Sequence, residues 1–299
     1  MFPIMLKAYA LTPFGQIHYR LCLPASHANS SPKIPIIFLH KSASSSLSMV
    51  NLMNHFASLG YPCYAPDMPG FGGSFDPSPA DISRISLYGL KWYSDLYIQV
   101  FRDVGVWTEK GVHLLGHHSG AALAPMLAFT APEIVKSVCL VGAPLCNAHT
   151  RLLMGNKFMV PFNTPMPDGS HVSKTWDYLG RMGVTSAGAV PEPPKECSES
   201  DLSRWQEEFI DHVRAWAGRM QIYGAVWSCD TEKIFREMRC KVMVLCAKDD
   251  VLFEFLGNAT GLRPDDESLV VGEVSGANFE TLRDAEGIAK IWNPFIESA

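Results

Sequence analysis

The sequence predicts an α/β fold: a mostly parallel sheet with helices on both faces and an inserted helical cap. Three observations predict it. Short continuous apolar runs recur along the chain, each followed by a stretch of helical spacing, the alternation that a parallel sheet covered on both faces requires. One run, Val112-His113-Leu114-Leu115, passes into Ala121-Ala122-Leu123-Ala124 through Gly116-His117-His118-Ser119-Gly120, a tight strand-to-helix turn with glycines two residues either side of its apex. From about residue 146 to 239 strand patterning stops, prolines cluster (Pro161, Pro165, Pro167, Pro191, Pro193, Pro194), and Trp176, Trp205, Trp216 and Trp227 all fall there.

In chain order, residues 16–23 alternate and read as an antiparallel edge strand. Residues 26–33 read as a polar loop, and residues 34–39 as a short apolar strand buried on both faces. After a small-residue loop over 40–48, residues 49–59 have helical spacing and Gly60 stops the helix. Residues 63–66 are the next strand, and Asp67-Met68-Pro69-Gly70-Phe71-Gly72-Gly73-Ser74 is a glycine-rich turn. Residues 82–103 read as one long amphipathic helix; the helix after the elbow runs to about Phe129, and residues 135–142 are another buried strand. In the insertion, residues 201–220 have helical spacing. Strand patterning returns over 241–246 and 268–271, and a helix over 284–297 follows. The expected division is a core in two parts, residues 1–145 and 240–299, around a helical cap at 146–239.

Composition narrows the function classes. The 299 residues are 47% hydrophobic and 18% charged, ordinary for a soluble globular protein. A net charge of −5 without a Lys/Arg cluster gives no reason to expect nucleic acid or an anionic membrane as partner. Residues 1–12 do not read as a signal peptide, and no run approaches the ~20 apolar residues of a spanning helix. The eight cysteines show neither CxxC nor Cys/His metal spacing, and Cys63, Cys139 and Cys246 lie in strand-like runs. The expectation is a cytoplasmic protein with reduced cysteines, a small-molecule substrate, a monomeric or homodimeric state, and no metal or other cofactor.

Four blocks stand in a familiar order: Phe38-Leu39-His40, the turn at 67–74, the elbow at 116–120, and Val244-Leu245-Cys246-Ala247-Lys248-Asp249-Asp250. Over nearly the whole chain they resemble the α/β-hydrolase superfamily, most of all its capped branch of haloalkane dehalogenases, epoxide hydrolases and C–C bond hydrolases. The resemblance implies an eight-stranded sheet and a nucleophile at the elbow apex. It also implies an acid after the strand at 241–246 and a histidine before the last helix. Here the apex is His118, the acid falls on Asp250 (Asp249 is the alternative register), and the histidine position in Val274-Ser275-Gly276-Ala277-Asn278-Phe279-Glu280 holds Asn278. No histidine follows His212, so Ser-His-Asp in the family's order is unavailable.

What remains is suggestive chemistry. The backbone N–H of Ser119 and an amide of the loop Lys41-Ser42-Ala43-Ser44 would form the oxyanion hole the resemblance implies. Lys41 either places a cation near a developing oxyanion or points to solvent. His118 either acts as acid and base, oriented by Asp250, or fills the elbow of a degenerate protein. Asn278 either donates to a substrate carbonyl or serves as a turn residue. His117 is expected to pack against the sheet or the 67–74 loop, His113 to be a hydrogen-bonded core residue, and His40 to be structural. Trp176, Tyr178, Trp205, Trp216, Tyr223 and Trp227 divide between cap core and an apolar substrate pocket, with Phe162 and Met166 at its lip. Three functions follow: acid/base chemistry on a carbonyl compound (lyase, isomerase or cyclase), a hydrolase with a rebuilt base and Ser119 as nucleophile, and a ligand-binding pseudoenzyme.

Overall fold

The computed structural model describes residues 3–25, 33–185 and 189–298. Most of the polar loop expected at 26–33 therefore lies outside the described residues. The chain opens with β1 (Ile4–Thr12), turned tightly at Pro13-Phe14 into β2 (Gly15–Leu23), the two strands pairing antiparallel from Ile4 opposite Leu23 to Thr12 opposite Gly15. β1 was not anticipated. It takes the edge, so β2 lies inside it, between β1 and β4, and is not the edge strand expected at 16–23. Its side chains are largely exposed, with Ile4, Leu6, Tyr9 and Leu11 facing water, so burial leaves no clean alternation to read.

The strands that follow match the apolar runs. β3 (Ile36–Leu39) leads to α1 (Val50–Ser58) and β4 (Cys63–Pro66). α2 (Pro79–Tyr88) and α3 (Leu90–Asp103) replace the single helix expected over 82–103, because Gly89 at φ 57° and ψ −137° breaks it. A capping box between Ser78 and Asp81 also starts α2 earlier than its apolar spacing suggests. β5 (Val112–His117), α4 (Ser119–Thr130) and β6 (Val135–Val141) follow.

Between β6 and β7 the described residues form helices and no strand: α5 (Ala148–Phe158), α6 (Ser170–Arg181), α7 (Glu199–Arg214), α8 (Trp216–Ser228) and α9 (Thr231–Glu237). The helix expected over 201–220 is thus two, divided at Ala215, which lets α8 run close over the 67–74 turn. A Cβ on Gly218 would lie 2.7 Å from the Gly70 carbonyl oxygen. β7 (Lys241–Ala247), α10 (Asn258–Leu262), β8 (Leu269–Val274), α11 (Glu280–Arg283) and α12 (Ala285–Glu297) complete the chain.

The eight strands form one sheet in the order β1-β2-β4-β3-β5-β6-β7-β8, parallel from β4 onward. Adjacent residues of the buried runs feed opposite faces. Ile37, Leu39, Leu114, Val138, Leu140 and Val244 join the core with α3 and α4. Ile36, Phe38, Leu115, Cys139, Val141 and Leu245 join the core with α1 and α12, where Trp292 packs edge-on against Phe38 and Phe56. Cys63, Cys139 and Cys246 are free and buried in these strands.

Candidate active site

β5 ends at His117, and the chain reverses at His118 (φ 47°, ψ −105°), a backbone conformation that a non-glycine residue adopts only when its surroundings impose it. The flanking glycines explain the motif. A Cβ on Gly116 would lie 2.1 Å from the Gly120 carbonyl oxygen, and one on Gly120 would lie 2.0 Å from that of Leu39. Gly142, just after β6, was not foreseen. A Cβ there would lie 2.4 Å from Cδ2 of His118, so only glycine leaves room for the ring.

The ring reaches the acid. His118 Nε2 lies 2.6 Å from Asp250 Oδ2, and the imidazole N–H donates to the carboxylate. The other Asp250 oxygen accepts the Leu252 N–H at 2.6 Å. Burial opposes ionisation of Asp250, but His118 and the Leu252 amide outweigh it and hold the carboxyl below its ordinary value. Asp250 is buried, whereas Asp249, the alternative register, is exposed. Nδ1 is the ring nitrogen that Asp250 does not engage.

Beneath this pair lies a second one. His117 Nε2 is 2.9 Å from Glu280 Oε2, and His117 Nδ1 is 3.1 Å from the Thr281 hydroxyl. His117 therefore bonds to α11, a partner not foreseen by the expectation that it packs against the sheet or the 67–74 loop. Both partners are wholly buried. Desolvation, with the Asp250 charge second, pushes the Glu280 carboxyl well above its usual range, and desolvation with His118 nearby pushes His117 well below its own. Both shifts favour the uncharged forms, Glu280 as a carboxylic acid and His117 as a neutral imidazole.

Linkage gives a test. A carboxyl raised in the folded state contributes stability below the unfolded carboxylate pKa and loses it as pH rises above that value. Glu280→Gln keeps a donor opposite His117 Nε2 and an acceptor for the Ala247 N–H, which Glu280 Oε1 accepts at 3.3 Å, without an ionisable group. Its melting temperature relative to the unsubstituted protein should be higher at pH 8 than at pH 5; a difference independent of pH would contradict the neutral pair.

Lys41 does not point to solvent. It is buried, its Nζ donates to the Asn278 carbonyl at 3.0 Å, and it stands 3.4 Å from the centre of the Phe279 ring. Glu208 Oε2 is 4.0 Å away and takes its short hydrogen bond, 2.7 Å, from Ser44 instead. Burial lowers the Lys41 pKa, only partly offset by Glu208, Glu280 and Asp250. The Asn278 amide is committed to backbone: Oδ1 accepts the Val251 N–H at 3.1 Å and Nδ2 donates to the Met182 carbonyl at 2.9 Å. It ties the acid loop to α6 and makes no bond to His118. His40 is structural, with Nδ1 donating to the Lys41 carbonyl and Nε2 accepting the Met68 N–H. His113 bonds Ser137 at 2.8 Å within the core.

Two small cavities meet at His118. One, about 40 Å³, is lined by Lys41, Ser42, Tyr178, His212 and Asn278 among others. The second, about 30 Å³, is lined by Ser119, Pro144, Trp227 and Leu252 among others. His118, Phe158, Tyr223 and Val251 border both. A larger cleft of about 560 Å³ at Lys33, Pro35 and Pro62 lies at the opposite ends of β3 and β4, away from these groups.

The aromatic expectations divide. Tyr178, Tyr223 and Trp227 line the cavities, whereas Phe162 stacks behind Tyr178 at 4.1 Å and Met166 is exposed. Trp176 lines neither; it stacks on Trp205 at 4.5 Å, between α6 and α7. Two residues from Tyr178 on one helix, it is turned about 200° away. Trp216 lines neither and is 44% exposed; seven residues before Tyr223, it stands about 10 Å further along α8. Phe158, Met182, Glu208, His212, Phe279 and Glu280 were missed, although Glu208 and His212 stand at i, i+4 on α7, a spacing the sequence displays.

His117, His118 and Glu280 bring ligand atoms within 4.8 Å of one another, as do Cys246, Asp250 and Glu280. In the first group His117 Nε2 and Glu280 Oε2 are already hydrogen-bonded to each other, and His118 Nε2 is bonded to Asp250.

A model described as the alpha/beta hydrolase family matches residues 36–280. The chain belongs to that family. No curated protein matches its sequence. Among solved structures, an epoxide hydrolase from Vigna radiata is similar at 19% identity and TM-score 0.72, over 99% of this chain and 98% of that one. A mutant epoxide hydrolase from Solanum tuberosum is similar at 17% identity and TM-score 0.74, over 99% and 100%. A thioesterase domain from the curacin biosynthetic pathway is similar at 16% identity and TM-score 0.63, over 96% and 99%. At these identities the likeness is one of fold. No helix among the described residues is long and apolar enough to cross a membrane.

Proposed function

We propose that this protein is an enzyme that moves a proton on a small, largely apolar, carbonyl-bearing molecule, with His118 as acid and base and Asp250 holding its ring. The 2.6 Å contact between His118 Nε2 and Asp250 Oδ2 at the elbow apex carries this reading. It leaves Nδ1 to take a proton, and Asp250 stabilises the imidazolium that forms. The N–H of Ser119, at the first position of α4, has no intrahelical partner and supports an oxyanion there; Lys41 and Ser42 stand on the other side. Enolisation followed by elimination, isomerisation or cyclisation fits such a set. Residues 146–239 serve as the cap. Phe158 and Tyr223 must shift to join the two cavities, because sites for small molecules occupy ~300–1,000 Å³.

Hydrolysis of an ester, epoxide or C–C bond is the second reading. Family membership and the fold likeness to epoxide hydrolases favour it, as do cavities of about 30 and 40 Å³, each the size of a water molecule that His118 would activate. A panel of ketones, β-diketones, esters and epoxides in D₂O separates the two. Exchange of carbon-bound hydrogen without cleavage supports the first; cleavage with incorporation of solvent oxygen supports the second. Inertness towards the whole panel would refute both.

A further inference from the structure

The wall that carries His118 also carries an amine whose surroundings suit covalent chemistry. A buried ammonium ordinarily keeps a carboxylate in direct hydrogen-bond contact. Lys41 has none: its one short bond goes to the neutral Asn278 carbonyl at 3.0 Å, and the nearest carboxylate oxygen, on Glu208, is 4.0 Å away. An aromatic face and the cavity occupy the remaining directions. As a neutral amine, Lys41 donates one hydrogen to Asn278 and keeps a lone pair for an electrophile. Beside it, Ser42 Oγ is buried without a hydrogen-bond partner and borders the same cavity. His212, whose Nδ1 is committed to the Glu208 carbonyl, also lines it.

We propose that Lys41 is a covalent nucleophile that condenses with the substrate's ketone or aldehyde group to form a Schiff base. The proposal rests on the reading of this site as one for carbonyl compounds and names the substrate's reacting group. The Nζ lone pair attacks the carbonyl carbon, and the C=O π pair becomes an alkoxide that takes a proton to give a carbinolamine. Nitrogen then expels the hydroxyl, which leaves as water with a second proton, and C=N forms. The balance is amine plus carbonyl to imine plus water. Protonated, the imine withdraws electrons from the adjacent carbon, whose proton passes to His118 Nδ1. Lysines desolvated in apolar pockets are activated for this step. The burial that lowers the Lys41 pKa acts in the same direction.

The test is reductive trapping. The protein is incubated with acetone or phenylacetone, reduced with borohydride and mapped by peptide mass spectrometry. An alkylated Lys41, formed ahead of the exposed Lys91 and Lys248, is expected. The adduct should persist in His118→Asn, which separates the amine step from proton transfer: loss of turnover there with Lys41 still labelled supports both readings. Lys41→Arg keeps a long basic side chain that can donate to the Asn278 carbonyl but cannot form an imine. Turnover that survives Lys41→Arg, or a wild-type map with Lys41 unlabelled or labelled no faster than exposed lysines, would overturn the proposal even where His118 proves essential. If Lys41→Arg fails to fold, the wild-type map decides alone.

Discussion

Replacing His118 with asparagine should lower turnover by about 10²–10⁴-fold, the usual contribution of a positioned acid or base. Asparagine is the informative choice because it tolerates a positive φ better than alanine does, and the apex sits at 47°. Its amide reaches only as far as the ring's Nδ1, short of Asp250, which bonds the more distant Nε2, and it cannot carry a proton. Ser119→Ala is the matching control. The proposed site uses the backbone N–H of Ser119, which that substitution keeps, so most activity should remain. Initial rates of both variants on any substrate the panel reveals, with circular dichroism to verify folding, give the answer. Full activity in His118→Asn, or selective loss in Ser119→Ala, would return the nucleophile's role to serine.

The parts of this molecule that were legible in its sequence are those decided by local pattern. Buried parallel strands announce themselves because both faces are covered, and the runs at β3, β4, β5 and β7 stand close to where they were read. The elbow was legible because its G-x-x-x-G pattern is local, with Gly116 answering to the backbone of Gly120, although Gly120 itself answers to Leu39 on the neighbouring strand; Asp250 was legible only through the resemblance, which implies an acid after β7. Failures came where a distant partner decides. β1 needs only β2 as a partner and stays wet, so its composition carries no burial signal. Gly89 and Ala215 divide helices whose apolar spacing runs on through the break. The direction of Lys41 depends on α7 and the segment around Phe279, far off in the sequence. Tryptophans were counted correctly, but which of them face the cavities depends on helix phase and on where each helix ends.

The turn at 67–74 shows how a motif read only as a fold marker has a definite physical content. Asp67 is almost fully buried and accepts from His18 Nδ1 at 2.7 Å, from the Ser46 N–H at 2.7 Å and from the Gly73 N–H at 2.8 Å. It thereby joins β2, the segment leading to α1 and its own turn. Gly72 is obligatory, since a Cβ there would lie 2.0 Å from the Asp67 carboxylate. Through Ser46, and through the Met68 N–H bonded to His40, this turn also holds the loop that carries Lys41 and Ser42.

Asp67→Ala should therefore cost about 4 kcal/mol at pH 7, because three buried donors lose their acceptor at roughly 1–3 kcal/mol each before relaxation and water entry offset part of the loss. For a chain of this size that is a fall of about 10 °C in melting temperature. The cost should itself depend on pH. Burial opposes ionisation of Asp67, yet His18, His40, Ser46 and the Gly73 amide hold its pKa at about 2. A carboxyl depressed on folding contributes stability above its unfolded value, near 3.8, and loses it as pH falls toward the folded one. The gap between the two proteins should therefore be constant from pH 7 to 5 and narrow by about 2 kcal/mol as pH approaches 2. Denaturant melts at pH 7, 5 and 3 measure this directly. A gap under 1 kcal/mol at pH 7, or one that widens in acid, would mean that the three bonds converging on Asp67 do not hold the turn.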